Sequence, residues 1–106
     1  MNDSRLALVT GAQQGIGAAA ALALGRAGYN VLVNYFDDEQ AAQAVCAELV
    51  ALGREARAVH GDMRSEADLV ALAQVATQAG GLAVLVNNAA IFPRSGFLEM
   101  TLQEWD

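Results

Sequence analysis

Short apolar runs alternate along the chain with longer segments in which apolar residues recur at helical spacing. The short runs are rich in β-branched residues and show little polar alternation, which is expected of strands that helices cover on both faces of a sheet. Alternating strands and helices are typical of parallel βαβ units. The pattern therefore predicts four strands, at residues 6–10, 31–35, 56–60 and 83–87.

Three helices are predicted between these strands, and a glycine follows each of them. Each helix has an apolar stripe that is expected to face the sheet. The stripe residues are Ile16, Ala20, Leu24 and Ala27 in the first helix, Ala42, Val45, Leu49 and Leu52 in the second, and Leu69, Leu72, Ala73 and Ala76 in the third. The glycines that end the helices are Gly28, Gly53 and the pair Gly80-Gly81.

Polar residues mark the starts of the second and third helices. Asp37 or Asp38 can cap the second, and Ser65 with Asp68 forms a predicted capping box for the third. Another capping box, at residues 101–104, is flanked by apolar residues that can form a hydrophobic staple, so a fourth helix is predicted to begin there. Because so short a helix is not stable alone, we expect the chain to be the front part of a longer protein.

The composition is that of a globular chain of one domain. Its 106 residues are 55% hydrophobic and its mean hydropathy is +0.29, values that argue against disorder. The longest apolar run, residues 15–25, has about half of the ~20 residues that cross a bilayer. The first residues do not have the pattern of a secretory signal. A cytoplasmic protein without a membrane partner is therefore expected.

Charge and cysteine content argue against several classes of function. Twelve acidic residues stand against six basic ones, and the net charge of −6 makes a nucleic-acid partner unexpected. The single cysteine, Cys46, has no partner for a disulfide and no Cys or His at metal-ligand spacing, so no metal site is predicted. All six basic residues are arginines, so the chain has no lysine.

A glycine-rich turn, Thr10-Gly11-Ala12-Gln13-Gln14-Gly15-Ile16-Gly17, lies between the first strand and the first helix. This arrangement presents backbone N–H groups and the positive end of a helix to a pyrophosphate. Gly11 permits the sharp turn, Gly15 the approach of phosphate oxygens, and Gly17 close packing of helix on strand. The spacing G-x-x-x-G-x-G differs from the commoner G-x-G-x-x-G of dinucleotide-binding folds.

Three motifs together resemble the short-chain dehydrogenase/reductase family: the glycine turn, Asp62-Met63 after the third strand, and Asn87-Asn88-Ala89-Ala90 after the fourth. The resemblance covers essentially the whole chain. It implies an α/β fold, a Rossmann-like doubly wound parallel sheet in strand order 3-2-1-4, with residues 1–106 as its NAD(P)-binding portion, truncated at the C-terminal end. Right-handed crossovers would place the first two helices on one face and the third on the other.

The resemblance also implies which residues contact the cofactor. They are Gly11, Gln13, Gln14, Gly15, Ile16 and Gly17 in the turn, Tyr35 at the end of the second strand, Asp62 and Met63 after the third, and Asn88, Ala89 and Ala90 after the fourth. Ala90 replaces the family's usual glycine, and Ala83 stands where many members have aspartate.

The choice between NAD and NADP depends on charge near the end of the second strand. An acid there hydrogen-bonds the ribose 2′-OH of NAD, whereas a base there or in the glycine turn pairs with the 2′-phosphate of NADP. Tyr35, Phe36 and Gln14 are uncharged, while Asp37 and Asp38 would repel a phosphate. The sequence therefore slightly favours NAD.

Catalytic residues are not predicted within this chain. The family uses a Tyr-x-x-x-Lys motif with a Ser and an Asn, but the only tyrosines are Tyr29 and Tyr35 and no lysine is present. The expected function is an NAD(P)-dependent oxidoreductase for an alcohol or carbonyl substrate, a homo-oligomer when intact, with this chain inactive alone. The alternatives are a non-enzymatic dinucleotide-binding module and an S-adenosylmethionine-dependent methyltransferase, against which Tyr35 argues.

Overall fold

The computed structural model describes residues 5–13, 15–86 and 88. Strands and helices alternate through these residues in the predicted order. The elements are β1 (Arg5–Val9), α1 (Gly15–Arg26), β2 (Tyr29–Tyr35), α2 (Glu39–Ala51), β3 (Ala56–His60), α3 (Glu66–Gln78) and β4 (Val84–Val86). The predicted fourth helix, with its capping box, lies outside the described residues. No helix in the described part of the chain is long and apolar enough to cross a membrane.

The strands form one parallel sheet in the order β3-β2-β1-β4, which confirms the predicted topology. β2 begins at Tyr29, two residues earlier than predicted, because Tyr29 and Asn30 continue the register opposite Arg5 and Leu6. At the other end of the sheet, Tyr35 pairs with His60. The carboxyl ends of all four strands therefore meet at one edge, where α/β proteins bind their ligands.

Two helices cover one face of the sheet and the third covers the other, as right-handed crossovers require. Leu8 and Leu32 pack with α3 in one apolar cluster. Val9 and Val33 belong to a second cluster, which contains Ala21 of α1 and the buried residues of α2. The predicted stripe of α3 is confirmed, because its buried residues are Leu69, Leu72, Ala73 and Ala76.

The predicted stripe of α1 is confirmed only in part: Ala20 and Leu24 are partly buried against the second cluster, whereas Ile16 and Ala27 are exposed. Ile16 is 80% exposed, and the buried residues of the helix are Gly17, Ala21 and Gly25. Alanine is distributed over several faces of this helix, so apolar spacing does not distinguish them. The glycines determine which face of α1 is buried, because they allow the helix backbone to lie closest to its neighbours. A Cβ on Gly25, for example, would meet the side chain of Leu49.

The ends of α2 and α3 confirm two expectations and correct two others. Asp38 caps α2, and its Oδ1 accepts a hydrogen bond from the backbone N–H of Ala41 at 2.9 Å. Ser65 caps α3 and accepts from the N–H of Asp68. The reciprocal half of the predicted capping box is wrong, because Asp68 accepts instead from the N–H of Asp62 at 2.8 Å. In α2, the last stripe residue, Leu52, is 40% exposed because it lies beyond the last helical turn.

Candidate functional site

The glycine turn after β1 has the geometry that the sequence predicts. Gly11 and Gly15 both have φ of +63°, a conformation that favours glycine. A Cβ on Gly17 would collide with the carbonyl oxygen of Gly11 and lie 2.8 Å from Nδ2 of Asn88. A Cβ on Gly15 would meet no atom of the described residues within 4 Å, so among them the space above this backbone is open. The turn therefore leaves room for a ligand beside the first residue of α1.

Asn34, which the sequence analysis did not single out, holds the turn to the sheet. Its side chain is only 1% exposed, and its Oδ1 accepts a hydrogen bond from the N–H of Gly11 at 3.0 Å. Its Nδ2 donates to the carbonyl oxygens of Val59 at 3.2 Å and Gly61 at 3.3 Å. The signal in the sequence is an amide residue inside the apolar strand Val-Leu-Val-Asn-Tyr, because a buried polar side chain needs partners.

Asn88 joins the end of β4 to the same turn. Its backbone N–H donates to Oγ1 of Thr10 at 2.9 Å, and its Nδ2 donates to the carbonyl oxygen of Gly11 at 3.1 Å. The predicted ligand-contacting residue therefore also supports the glycine turn. Gln14, Asn87, Ala89 and Ala90 lie outside the described residues.

A cavity of about 230 Å³ opens beside the turn. It brings together Gly11, Asp62 and Met63, three of the residues that the sequence places at the site. Its lining residues are Gly11, Asn34, Phe36, Gly61, Asp62, Met63 and Arg64. Tyr35 is not among them. Its ring instead packs edge-on against His60, with ring centroids 5.5 Å apart. Asn34 is the lining residue that belongs to β2, and Phe36 follows directly after the strand.

Asp62 and Arg64 form an ion pair on the rim of this cavity. Oδ1 of Asp62 accepts from the backbone N–H of Arg64 at 2.9 Å and from its Nε at 3.0 Å, and Oδ2 accepts from Nη2 at 3.1 Å. These hydrogen bonds, first of all those from the Arg64 side chain, lower the pKa of Asp62. The Arg64 guanidinium also lies over the Phe36 ring, 5.3 Å from its centroid. The rim therefore presents an ionised carboxylate beside an aromatic wall.

Gln13 connects the glycine turn to the loop between β2 and α2. Its Oε1 accepts hydrogen bonds from the backbone N–H groups of Phe36 at 2.9 Å, Asp37 at 3.3 Å and Asp38 at 3.4 Å. Its Nε2 donates to Oδ1 of Asp37 at 2.7 Å. Both ends of the amide are therefore engaged with this loop.

A larger cavity, about 610 Å³, lies at the opposite edge of the sheet, where the strands begin and α3 ends. Arg5, Asn30, Glu55 and Arg57 are among its lining residues. It has no contact with the glycine turn, and size alone does not make it the site. Among the described residues, no group of three His, Cys, Asp or Glu side chains is arranged to hold a metal ion.

Comparisons with known proteins agree with this geometry. The family model described as "short chain dehydrogenase" matches residues 5–106. The curated 3-oxoacyl-[acyl-carrier-protein] reductase FabG of Staphylococcus aureus is 41% identical over 107 residues, which cover 100% of this chain and 44% of that protein. The "Short chain dehydrogenase" of Claviceps purpurea is 38% identical over 105 residues, which cover 98% of this chain and 40% of that protein.

A solved structure shows the same fold. Acetoin dehydrogenase from Enterobacter cloacae matches with a TM-score of 0.79 at 28% identity, over 96% of this chain and 48% of that one. The chain thus spans less than half the length of each of these relatives.

Proposed function

The chain belongs to the short-chain dehydrogenase family, and on that basis we propose that it forms the dinucleotide-binding part of an NAD(P)-dependent oxidoreductase that acts on an alcohol or carbonyl. The observation that carries this proposal is the open glycine turn beside the cavity lined by Phe36, Asp62 and Met63. Reductases and dehydrogenases among the relatives support the same class of activity. They do not favour the methyltransferase or the non-enzymatic module.

The glycine turn fits the pyrophosphate of a dinucleotide. α1 begins at Gly15, so its first N–H groups and the positive end of its dipole face the open space there. An anion in this space would be held by backbone groups alone, as at other helix N-termini. Gly11 and Gly17 allow the turn to be tight enough for this approach.

The cavity fits the adenosine end. Phe36 offers an apolar wall for a planar base, and Met63 lies buried beside it. The carboxylate of Asp62 can accept a hydrogen bond from the adenine amino group, as the family resemblance implies. The ordinary pKa of an aspartate already lies well below neutral pH, and Arg64 lowers that of Asp62 further, so this acceptor is ionised at neutral pH.

The bound cofactor would supply or accept the hydride, while this chain binds and orients it. Proton transfer to the substrate needs a positioned acid or base, which commonly contributes about 10²- to 10⁴-fold to the rate. Tyr29 and Tyr35 are the only tyrosines, and neither is followed by a lysine. We therefore infer that these 106 residues alone do not turn over substrate and that the catalytic groups belong to another part of the intact protein.

A pair of glycine substitutions tests the assignment. Gly15→Val places a branched side chain in the space proposed for the pyrophosphate, and the affinity for NADH and NADPH is expected to fall at least about 100-fold, the loss of two charge-assisted hydrogen bonds. Gly53→Val is the matched control, because Gly53 also has positive φ and open space but lies at the end of α2, away from the turn. Fluorescence titration of the intact protein measures both affinities. Unchanged binding in Gly15→Val would show that the turn is not the phosphate site.

A further inference from the structure

We propose that Gln13 makes this site selective for NAD over NADP by filling the place that a ribose 2′-phosphate would need. The inference rests on the proposed function and assigns Gln13 a role other than cofactor contact. It begins with three successive backbone N–H groups, those of Phe36, Asp37 and Asp38, which we call the backbone nest. All three converge on the side-chain oxygen of Gln13.

Convergent backbone N–H groups form a concave site for an anion. Phe36 belongs both to this nest and to the wall of the adenosine cavity, so the nest lies next to the place proposed for the adenosine. A phosphate on the ribose would gain strong charge-assisted hydrogen bonds there. In this chain the neutral oxygen of Gln13 already occupies the nest, with its shortest contact at 2.9 Å.

Gln13 also controls the position of a negative charge. Its Nε2 donates to Oδ1 of Asp37 at 2.7 Å, which holds the carboxylate of Asp37 next to the nest. A carboxylate in this position repels a dianionic phosphate. The same side chain therefore fills the nest and fixes the charge that opposes a phosphate, whereas the 2′-OH of NAD carries no charge.

The positive charge on the rim does not offset this repulsion. Arg64 lines the cavity, but its Nε and Nη2 are both bonded to Asp62. Recruiting Arg64 to a phosphate would leave the Asp62 carboxylate without its partner. Within the described residues that line the cavity, the arginine charge is thus already paired.

Two substitutions of opposite expected effect test the inference. The measured quantity, on the intact protein, is the dissociation constant for NADPH divided by that for NADH. The wild-type ratio is expected to exceed one. Gln13→Ser empties the nest and releases Asp37, so the ratio is expected to fall at least about tenfold, the value of one charge-assisted hydrogen bond. Gln13→Glu keeps an oxygen in the nest and adds a negative charge, so the ratio is expected to stay high or rise, whether or not the serine variant folds.

Gln74→Ser is the control, because Gln74 is exposed on α3 and should leave the ratio unchanged. A wild-type preference for NADPH, an equal loss of both affinities in Gln13→Ser, or a lower ratio in Gln13→Glu would each overturn the role of Gln13. None of these results would contradict the proposal that the wild-type protein binds a dinucleotide. A wild-type protein that binds neither NADH nor NADPH would instead overturn the proposed function itself.

Discussion

The side-chain oxygen of Asn34 accepts a hydrogen bond from the backbone N–H of Gly11 at 3.0 Å. The same side chain donates to the carbonyl oxygens of Val59 and Gly61. One buried amide thus connects the turn after β1 to the end of β2 and to the end of β3. The position of the glycine turn relative to the cavity depends on this side chain.

Replacing Asn34 with leucine is expected to destabilise the protein by about 2–4 kcal/mol. The N–H of Gly11 and two carbonyl groups would lose their partner, and each buried group left unpaired costs about 1–3 kcal/mol. Urea unfolding measures the loss. Asn30→Leu is the control: Asn30 accepts one hydrogen bond, from the N–H of Glu55, at the opposite edge of the sheet. Only the Asn34 variant should also lose dinucleotide affinity, and equal affinity losses in both would contradict the role of Asn34.

Adding a single methyl group at Gly17 is expected to move the glycine turn. The new Cβ in Gly17→Ala would collide with the backbone oxygen of Gly11, which cannot rotate away. We expect a loss of stability of about 1–3 kcal/mol, typical of overpacking, together with weaker dinucleotide binding. Thermal unfolding and titration measure the two effects.

Gly25→Ala is the matched control for this change, because it adds the same group to the same helix. Its Cβ would meet the end of the Leu49 side chain, which can change rotamer. Dinucleotide affinity should therefore be unchanged in this variant. If the two alanine variants weakened binding equally, the close contact between Gly17 and Gly11 would not be what shapes the site.

Removing Arg64 is expected to raise the pKa of Asp62 toward the ordinary aspartate value of about 3.9. In the folded protein, hydrogen bonds from Arg64 lower the pKa of Asp62. They therefore stabilise the fold at pH values above the ordinary aspartate pKa. That stabilisation is lost as the pH falls through the lowered pKa. An NMR titration of the Asp62 carboxyl group in Arg64→Ala measures the shift. Arg57→Ala, which removes an exposed arginine at the other cavity, should leave the Asp62 titration unchanged.

The sequence by itself determined the elements and the sheet. The apolar runs within β1 and β2 are expected to be buried on both faces, and helices between the strands require parallel pairing and right-handed crossovers. The stripe of α3 was predictable because Leu69, Leu72, Ala73 and Ala76 follow the i, i+3, i+4, i+7 spacing of one helix face. The glycine turn was predictable because the conformations of Gly11 and Gly15 favour a residue without Cβ.

Only the tertiary structure decided how side chains distant in sequence meet. The buried face of α1 depends on what packs against Gly17 and Gly25, since the alanines of this helix lie on several faces. The partners of Asn34 lie 23 to 27 residues away, and Gln13 meets Asp37 across 24 residues. Such hydrogen bonds leave no periodic pattern, because each depends on how segments distant in the chain meet at one edge of the sheet.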